Sequence, residues 1–345
     1  VGITTADPFP DEEAIALERL EQGLMDGMDW YTAHRVHRGT HPRTLLPNAK
    51  SIIALAINYY HDSSDEQRTA KDTQGDVSFD VLPTGPLTGR IARYAWGRDY
   101  HYIFEAKLKR FIESLKSLGA TEAKLYSDTG PMLDRAVAER AGVGWYGKNT
   151  NILTQALGSW VFLAQVITDL ELRPDKPLSK SCGRCQKCIP ACPTNAIIAP
   201  YVVDSRKCIA YLTIEHRGSI PVELRPLMGD WVFGCDICQE VCPVNLRRQK
   251  DTTEPEFQPK DSMRYRPDLL RILEMTEEEF QEVYRGSPIK RARLEGLKRN
   301  VCVALGNIGD PRAVPALRKA LEDESPIVRE HAAWALDRLT SHDIQ

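Results

Sequence analysis

No run in this sequence approaches the roughly 20 consecutive apolar residues of a membrane-spanning helix. The longest apolar stretches, such as Ile52–Ile57, are strand-sized, so no membrane partner is expected. Excess positive charge is missing too. Lys and Arg number 45 against 48 Asp and Glu, a formal net charge of −3, so no bulk charge advertises nucleic acid or a lipid surface. The first residues, Val1–Pro8, show neither a basic n-region nor a twin-arginine pair, which predicts a cytoplasmic location. No Gly-x-Gly-x-x-Gly opens a helix after a strand. Gly142-Val143-Gly144-Trp145-Tyr146-Gly147 has the glycines but follows a predicted helix, so a dinucleotide fingerprint is absent. Outside one region cysteine is nearly absent as well: eight of the nine lie between Cys182 and Cys242, and only Cys302 stands apart. A secreted disulfide framework would spread its pairs along the fold. Clustering points to metal.

What is present is an ordinary globular composition, 42% hydrophobic and 27% charged over 345 residues, enough for two or three domains. Residues 1–175 mix strands (Ser51–Tyr59, Lys124–Ser127, Ser159–Ile167) with amphipathic helices (Tyr102–Leu118, Pro131–Ala141), which predicts an α/β or α+β domain. Within it, 61–88 is polar and proline-rich and reads as a long insertion or lid. A proline-punctuated linker leads into a cysteine domain at 176–250. Residues 251–287 read as a connector with one short helix. From 288 to 345 a repeat emerges: Val301–Leu305 and Ala332–Leu336 align at a spacing of 31 residues, with a helix face at Val314, Leu317 and Leu321 between them. This predicts a short HEAT-like helical array. The expected architecture is therefore multidomain α+β.

Cys182-x2-Cys185-x2-Cys188-x3-Cys192-Pro193 has the spacing of bacterial ferredoxins, in which three thiolates curl around one cubane and the fourth ligates its neighbour. A second run, Cys235-x2-Cys238-x3-Cys242-Pro243, lacks its first cysteine, and Cys208 is the nearby candidate to replace it. Each run can then lend its last cysteine to the other cluster. One cluster would use Cys182, Cys185, Cys188 and Cys242; the other Cys192, Cys208, Cys235 and Cys238. Structural zinc also takes four cysteines. It explains neither the third cysteine at the same interval nor the Cys-Pro ending both runs. Two [4Fe–4S] clusters are expected, and Cys302 is read as packing.

Several ordered motifs resemble the epoxyqueuosine reductases. They are Leu46-Pro47-x3-Ser51-Ile52-Ile53, Tyr94-Ala95-Trp96-Gly97-Arg98-Asp99-Tyr100-His101 and Asp128-Thr129-Gly130-Pro131. To these add Ala138-Glu139-Arg140-Ala141-Gly142-Val143-Gly144-Trp145-x2-Lys148-Asn149, Gly158-Ser159-x3-Leu163, both cysteine runs and Lys298-Arg299-Asn300-x3-Ala304-Leu305-Gly306-Asn307. The resemblance implies base-off cobalamin over the α/β domain, fed with electrons by the ferredoxin-like domain. It implies reduction of epoxyqueuosine to queuosine in tRNA, the last step of queuosine biosynthesis. An external flavodoxin- or ferredoxin-type one-electron donor and a monomeric protein are expected. No Asp-x-His-x2-Gly motif offers a lower axial imidazole: Asp99-Tyr100-His101 begins like one, but Phe104 stands where the glycine would be.

By the same resemblance Asp128 is the general acid, since a departing alkoxide needs a proton. The competing reading is an N-cap for the helix expected from Pro131. A helix N-terminus would keep Asp128 ionised, so the catalytic reading expects burial to outweigh it. Asp134, beside Arg135, reads as part of a solvated helix face. Corrin contacts are expected at Arg38, Ala92, Tyr94, Asn149, Ile152, Ser159 and Leu163, with Asp128 nearby. His37 and His41, at i and i+4, are read as surface residues because Pro42 ends their helix. A tRNA backbone needs local positive charge. Lys290, Arg291, Arg293, Lys298 and Arg299, with Arg285, supply six cations against Glu295 within 15 residues. Arg247, Arg248 and Lys250 add a second basic group. Two further classes stay open at this point: a cobalamin-dependent reductive dehalogenase, and a non-enzymatic two-cluster electron carrier.

Overall fold

The computed structural model describes residues 1–62 and 85–341. Most of the insertion expected at 61–88 lies outside the described residues. The chain divides into two compact units, and each draws on three separate stretches. Val1–Asn58, Arg98–His216 and Cys235–Gln249 make the first; Tyr59–Gly97, Arg217–Gly234 and Lys250–Gln345 make the second. This division cuts across the four consecutive stretches read from composition. Both cysteine runs fold with the N-terminal sheet.

The first unit is built on a four-stranded sheet in the order Gly2–Thr5, Ser51–Asn58, Val161–Thr168, Ala123–Tyr126. Every neighbouring pair is antiparallel. The α/β layer expected here is therefore an α+β one, because alternation of apolar residues settles which face is buried but not which way a strand runs. Alternation along Val161–Thr168 does divide the faces. Ile167 joins the core made by Phe9, Leu46, Ile52, Met132, Ala136 and Val137. Phe162 points the other way and meets Phe104 edge to face, with ring centroids 6.3 Å apart. The helix Asp134–Arg140 thus covers one face of the sheet and Tyr100–Ser117 the other. In the longer helix, Tyr100, Ile103, Phe104 and Leu108 are buried at the intervals an amphipathic helix requires.

The second unit explains why residues before Arg98 belong with the C-terminus. Arg90–Ile91 pairs in parallel with Trp231–Phe233, and Leu269 N donates to Leu87 O at 2.8 Å. The connector holds two short helices where one was expected, Leu269–Glu274 and Glu277–Val283. Asp268 caps the former, and a Thr276–Glu279 capping box starts the latter. The expected repeat forms helices Arg293–Ile308, Val314–Ala320 and Pro326–Ser341. Its two aligned segments pack where Gly306 lies against the partner helix: a Cβ there would sit 2.8 Å from Trp334 Cζ3 and 3.0 Å from Ala335 Cα. Cys302 is fully buried in this packing, as its sequence context suggested.

Candidate active site and metal-binding cysteines

The strand Ala123–Tyr126 ends two residues before Asp128, whose backbone is left-handed at φ 59°. Asp adopts this region at modest cost because its short side chain bonds locally. Gly130 completes the turn: a Cβ there would lie 2.4 Å from the Tyr126 ring. The following helix starts at Asp134, not Pro131, and its N-cap position is Leu133. Asp128 therefore caps no helix. Its carboxylate instead accepts a 2.5 Å hydrogen bond from the Tyr100 hydroxyl, and His101 Nε2 lies 4.0 Å away. Tyr100 is itself stacked on Phe162, centroids 4.3 Å apart, so a rigid aromatic pair aims its hydroxyl. His101 is oriented by Asp99 Oδ1, 2.8 Å from its Nδ1.

The other carboxyl is the more enclosed of the two. The Asp128 side chain is 61% exposed, so the chain's own residues leave to corrin the burial that the acid role expects. Asp134, expected on a solvated face, faces the sheet. Its Oδ2 accepts the backbone N–H of Asp128 at 3.2 Å, and its Oδ1 accepts from the buried Gln165. Desolvation, reinforced by the Asp128 charge, pushes its pKa up to about 7, while the Gln165 and backbone hydrogen bonds and the Arg135 charge pull it down. Arg35 donates to Gly130 O and ties down the far end of the turn. Sequence reading missed Asp134 and Tyr100 in these roles. Both sit inside quoted motifs, but the contact each makes spans elements.

The eight clustered thiols are all unbridged and partly buried. Cys182, Cys185, Cys188 and Cys242 are electrostatic neighbours: Cys185 and Cys242 both raise Cys182, and all three others raise Cys188. Cys192 raises Cys208, Cys208 raises both Cys235 and Cys238, and Cys188 of the first set also raises Cys238. Burial is the largest cause of these upward shifts, so the bare site disfavours thiolate and a cationic iron centre would restore it. Cys208 stands at the N-cap position of Ile209–Ile214, where the backbone N–H groups of Tyr211 and Ala210 favour its thiolate, and Cys242 stands at the N-cap position of Pro243–Arg248. The Ala196 N–H reaches Cys192 Sγ at 3.3 Å. Such a donor set, two groups of four sulfurs met by N–H groups, fits iron–sulfur ligation.

Side chains from the segment 148–159, just before the strand Val161–Thr168, grip both runs. Lys148 Nζ donates to Gly183 O at 2.8 Å, Asn149 Nδ2 to Cys238 O at 3.2 Å, and Asn151 Nδ2 approaches Cys238 Sγ at 4.0 Å. Ser159 N–H donates to Asn245 Oδ1 at 2.7 Å, and Ser159 Oγ to Gln239 Oε1 at 2.8 Å. Gly158 is required there, since a Cβ would meet Asn245 Oδ1 at 2.1 Å. The side chains of Asn149 and Ser159, expected at corrin, are thus bonded to the second cysteine run. Their backbone groups are what remains for such a ligand. Arg38 is exposed, Leu163 partly so, and Ile152 is buried in a separate two-stranded ribbon, opposite Tyr146. Ala92 and Tyr94 belong to the second unit, where Tyr94 stands beside Phe233 at 6.0 Å. The His37 and His41 rings lie 4.1 Å apart, tilted by 32°, although the helix ends at Thr40, with Glu13 Oε1 2.9 Å from His37 Nδ1.

Among the residues expected at tRNA, Lys290 and Arg293 are exposed and Arg291 is partly so. Arg299 is 1% exposed and donates to Gly218 O at 2.8 Å and to Asn300 Oδ1, so it is structural. Lys298 is mostly covered and pairs with Asp323 at 3.2 Å. A helical repeat buries one charge-bearing face, and sequence alone placed these two on the wrong side of it.

Comparison with known proteins decides among the classes left open. The family described as "Epoxyqueuosine reductase QueG, DUF1730" matches residues 40–129, "4Fe-4S double cluster binding domain" matches 181–245, and "HEAT repeats" matches 291–344. An epoxyqueuosine reductase of Cellulophaga algicola is 40% identical over 87% of this chain and 91% of its own length. That of Escherichia coli is 37% identical over 97% and 84%. The chain belongs to the epoxyqueuosine reductase family. A solved member, holding an epoxyqueuosine-modified stem loop of tRNA-Tyr, superposes with a TM-score of 0.86 at 33% identity, covering 98% of this chain and 85% of that one. Residues 181–245 accordingly form a double-cluster 4Fe–4S domain, and the chain is mixed α+β with C-terminal HEAT repeats. Among the described residues no helix is long and apolar enough to cross a membrane.

Proposed function

We propose that this protein removes the epoxide oxygen of epoxyqueuosine in tRNA, the last step of queuosine biosynthesis, with Asp128 delivering the proton that the departing oxygen needs. The reaction consumes two electrons and two protons and releases water, leaving an alkene. The observation that carries the reading is the Asp128 carboxyl itself. It is open to a ligand, freed from helix capping, and aimed by a tyrosine hydroxyl at 2.5 Å. Proton delivery from a placed acid contributes about 10²–10⁴ in rate.

Each neighbour has a share in that task. Tyr100 orients the acid, and as a hydroxyl it also donates to the carboxylate left after proton transfer. Asp134 holds the Asp128 backbone in its left-handed turn from below, so the side chain projects outward. The residues suited to hold cobalamin in the first unit are Arg38, Ile152, Leu163 and the backbone of Asn149 and Ser159, around the exposed Asp128. Bound there, cobalamin would supply a strongly reducing cobalt centre. Two clusters would supply its electrons, one held by Cys182, Cys185, Cys188 and Cys242, the other by Cys192, Cys208, Cys235 and Cys238. Lys290 and Arg293, with Arg291, suit RNA phosphate; an external flavodoxin- or ferredoxin-type carrier supplies electrons in the cytoplasm.

Asp128→Asn keeps size and polarity but cannot deliver the proton. The variant is expected to retain iron, sulfide and cobalamin in full and to lose at least about 10²-fold in epoxide turnover on tRNA. Near-normal turnover by a fully loaded variant would overturn the assignment.

A further inference from the structure

Electrons must enter the molecule from outside, and one surface of the first unit is built to receive an acidic protein. Lys180, Arg247 and Arg248 line a cavity of about 450 Å³ together with Trp145 and Val244, and no acidic residue lines it. Lys180 stands over the Trp145 ring, Nζ 5.6 Å from its centroid. The chain places this cavity against one group of sulfurs. Lys180 and Ser181 lead directly into Cys182, while Val244, Arg247 and Arg248 follow Cys242 on the helix Pro243–Arg248. Ser181 and Val244 line the same cavity, so the residues flanking those two cysteines are brought together. Charge around Cys182 is one-sided: Lys176–Val203 contains Lys176, Lys180, Arg184 and Lys187 and no Asp or Glu, whereas Glu240 and Asp236 precede Cys242. Leu246, 58% exposed on the same short helix, adds an apolar contact beside the cations.

We infer that this cationic cavity is the docking site of an acidic flavodoxin- or ferredoxin-type one-electron carrier, and that electrons enter through the cluster held by Cys182, Cys185, Cys188 and Cys242. The inference rests on the two-cluster reading above. Weak redox encounters bury little area and rely on charge complementarity, which steers the partner and makes the contact salt-dependent. A small apolar centre ringed by cations over a partly exposed cluster loop meets that need. RNA phosphate is the competing occupant. It is disfavoured because the cavity is made by the two cluster-bearing segments, whereas the reacting nucleoside has to reach Asp128.

The test uses the anaerobically loaded full chain carrying Lys180→Glu and Arg248→Glu, with reduced flavodoxin as the carrier and a modified tRNA stem loop as substrate. Titration is expected to show carrier binding weakened at least tenfold with its salt dependence flattened. Stem-loop affinity, iron content and turnover with a small chemical reductant should match the unaltered protein. Unchanged carrier affinity would overturn the inference, and so would a comparable loss of stem-loop affinity, which would assign the cavity to RNA. If the double variant fails to load iron, Lys180→Gln with Arg248→Gln removes the charge without reversing it, and a several-fold weakening is the expected result. Absence of turnover by the unaltered protein with the chemical reductant would count against the proposed reaction alone, since carrier binding is measured independently of it.

Discussion

At the scale of single residues, two carboxyls six positions apart divide the work. Asp128 faces outward and Asp134 sits beneath it, holding its N–H. The pairing has a measurable signature. Asp134 titrates from 3.8 unfolded to about 7 folded, so the folded state holds this proton more tightly. Stability it confers is fully present below about pH 4 and is lost as pH rises through 7, at no more than about 1.4 kcal/mol per pH unit. Its surroundings are Asp128, Arg135 and Gln165; Asn in its place keeps an acceptor for the Asp128 N–H and removes the titration. Urea unfolding of Asp134→Asn and of the unaltered protein should show the variant gaining relative stability between pH 5 and pH 8. Parallel pH dependences would mean that Asp134 is not buried as described. Neither role could be read from the local pattern. An aspartate near the start of a predicted helix looks like a cap or a solvated charge, and only the strand carrying Gln165 makes it otherwise.

At the scale of elements, periodicity located the helices and strands well, and packing settled their partners. The repeat at Val301–Leu305 and Ala332–Leu336 was visible as a spacing, and it became two helices in contact at Gly306. Gly306→Ala would gain up to about 1 kcal/mol of helix propensity. Overpacking against Trp334 and Ala335 costs about 1–3 kcal/mol. A net loss of stability is expected, seen as a lower Tm, with recovery when Trp334→Leu makes room. A stabilised single variant would show that the two helices are not so closely set. The same repeat misled on charge. Lys298 and Arg299 look like part of a basic stripe, yet the helix turns Arg299 inward, where Gly218 O and Asn300 satisfy its guanidinium. A helix periodicity reveals that one face is buried; it does not say which polar residues the neighbouring loops can satisfy there.

At the scale of the whole molecule, the ligand sets are non-local. Cys242 lies 54 residues from Cys188 in the chain, yet raises its pKa as a close neighbour. Cys242→Ser should therefore remove about half the iron and sulfide. Combining it with Cys188→Ser should remove no more, because the proposed partition puts both on one cluster. Combining it with Cys235→Ser should empty both sites, by iron analysis and low-temperature spectroscopy of the reduced protein. Additive loss in the first pair, or none beyond half in the second, would require another partition.

The sequence by itself determined the chemistry's inventory: eight thiols at ferredoxin spacings, an acid in a strand-to-helix turn, and a helical repeat. Spacing rules for clusters and periodicities of elements are short-range constraints, so they survive in one dimension. Tertiary structure alone decided that all strand pairs of the sheet run antiparallel, that the cysteine runs fold with it, which carboxyl is buried and which arginine is structural. Each of those depends on what packs across the chain, where desolvation and satisfied hydrogen bonds are set by residues far away in sequence.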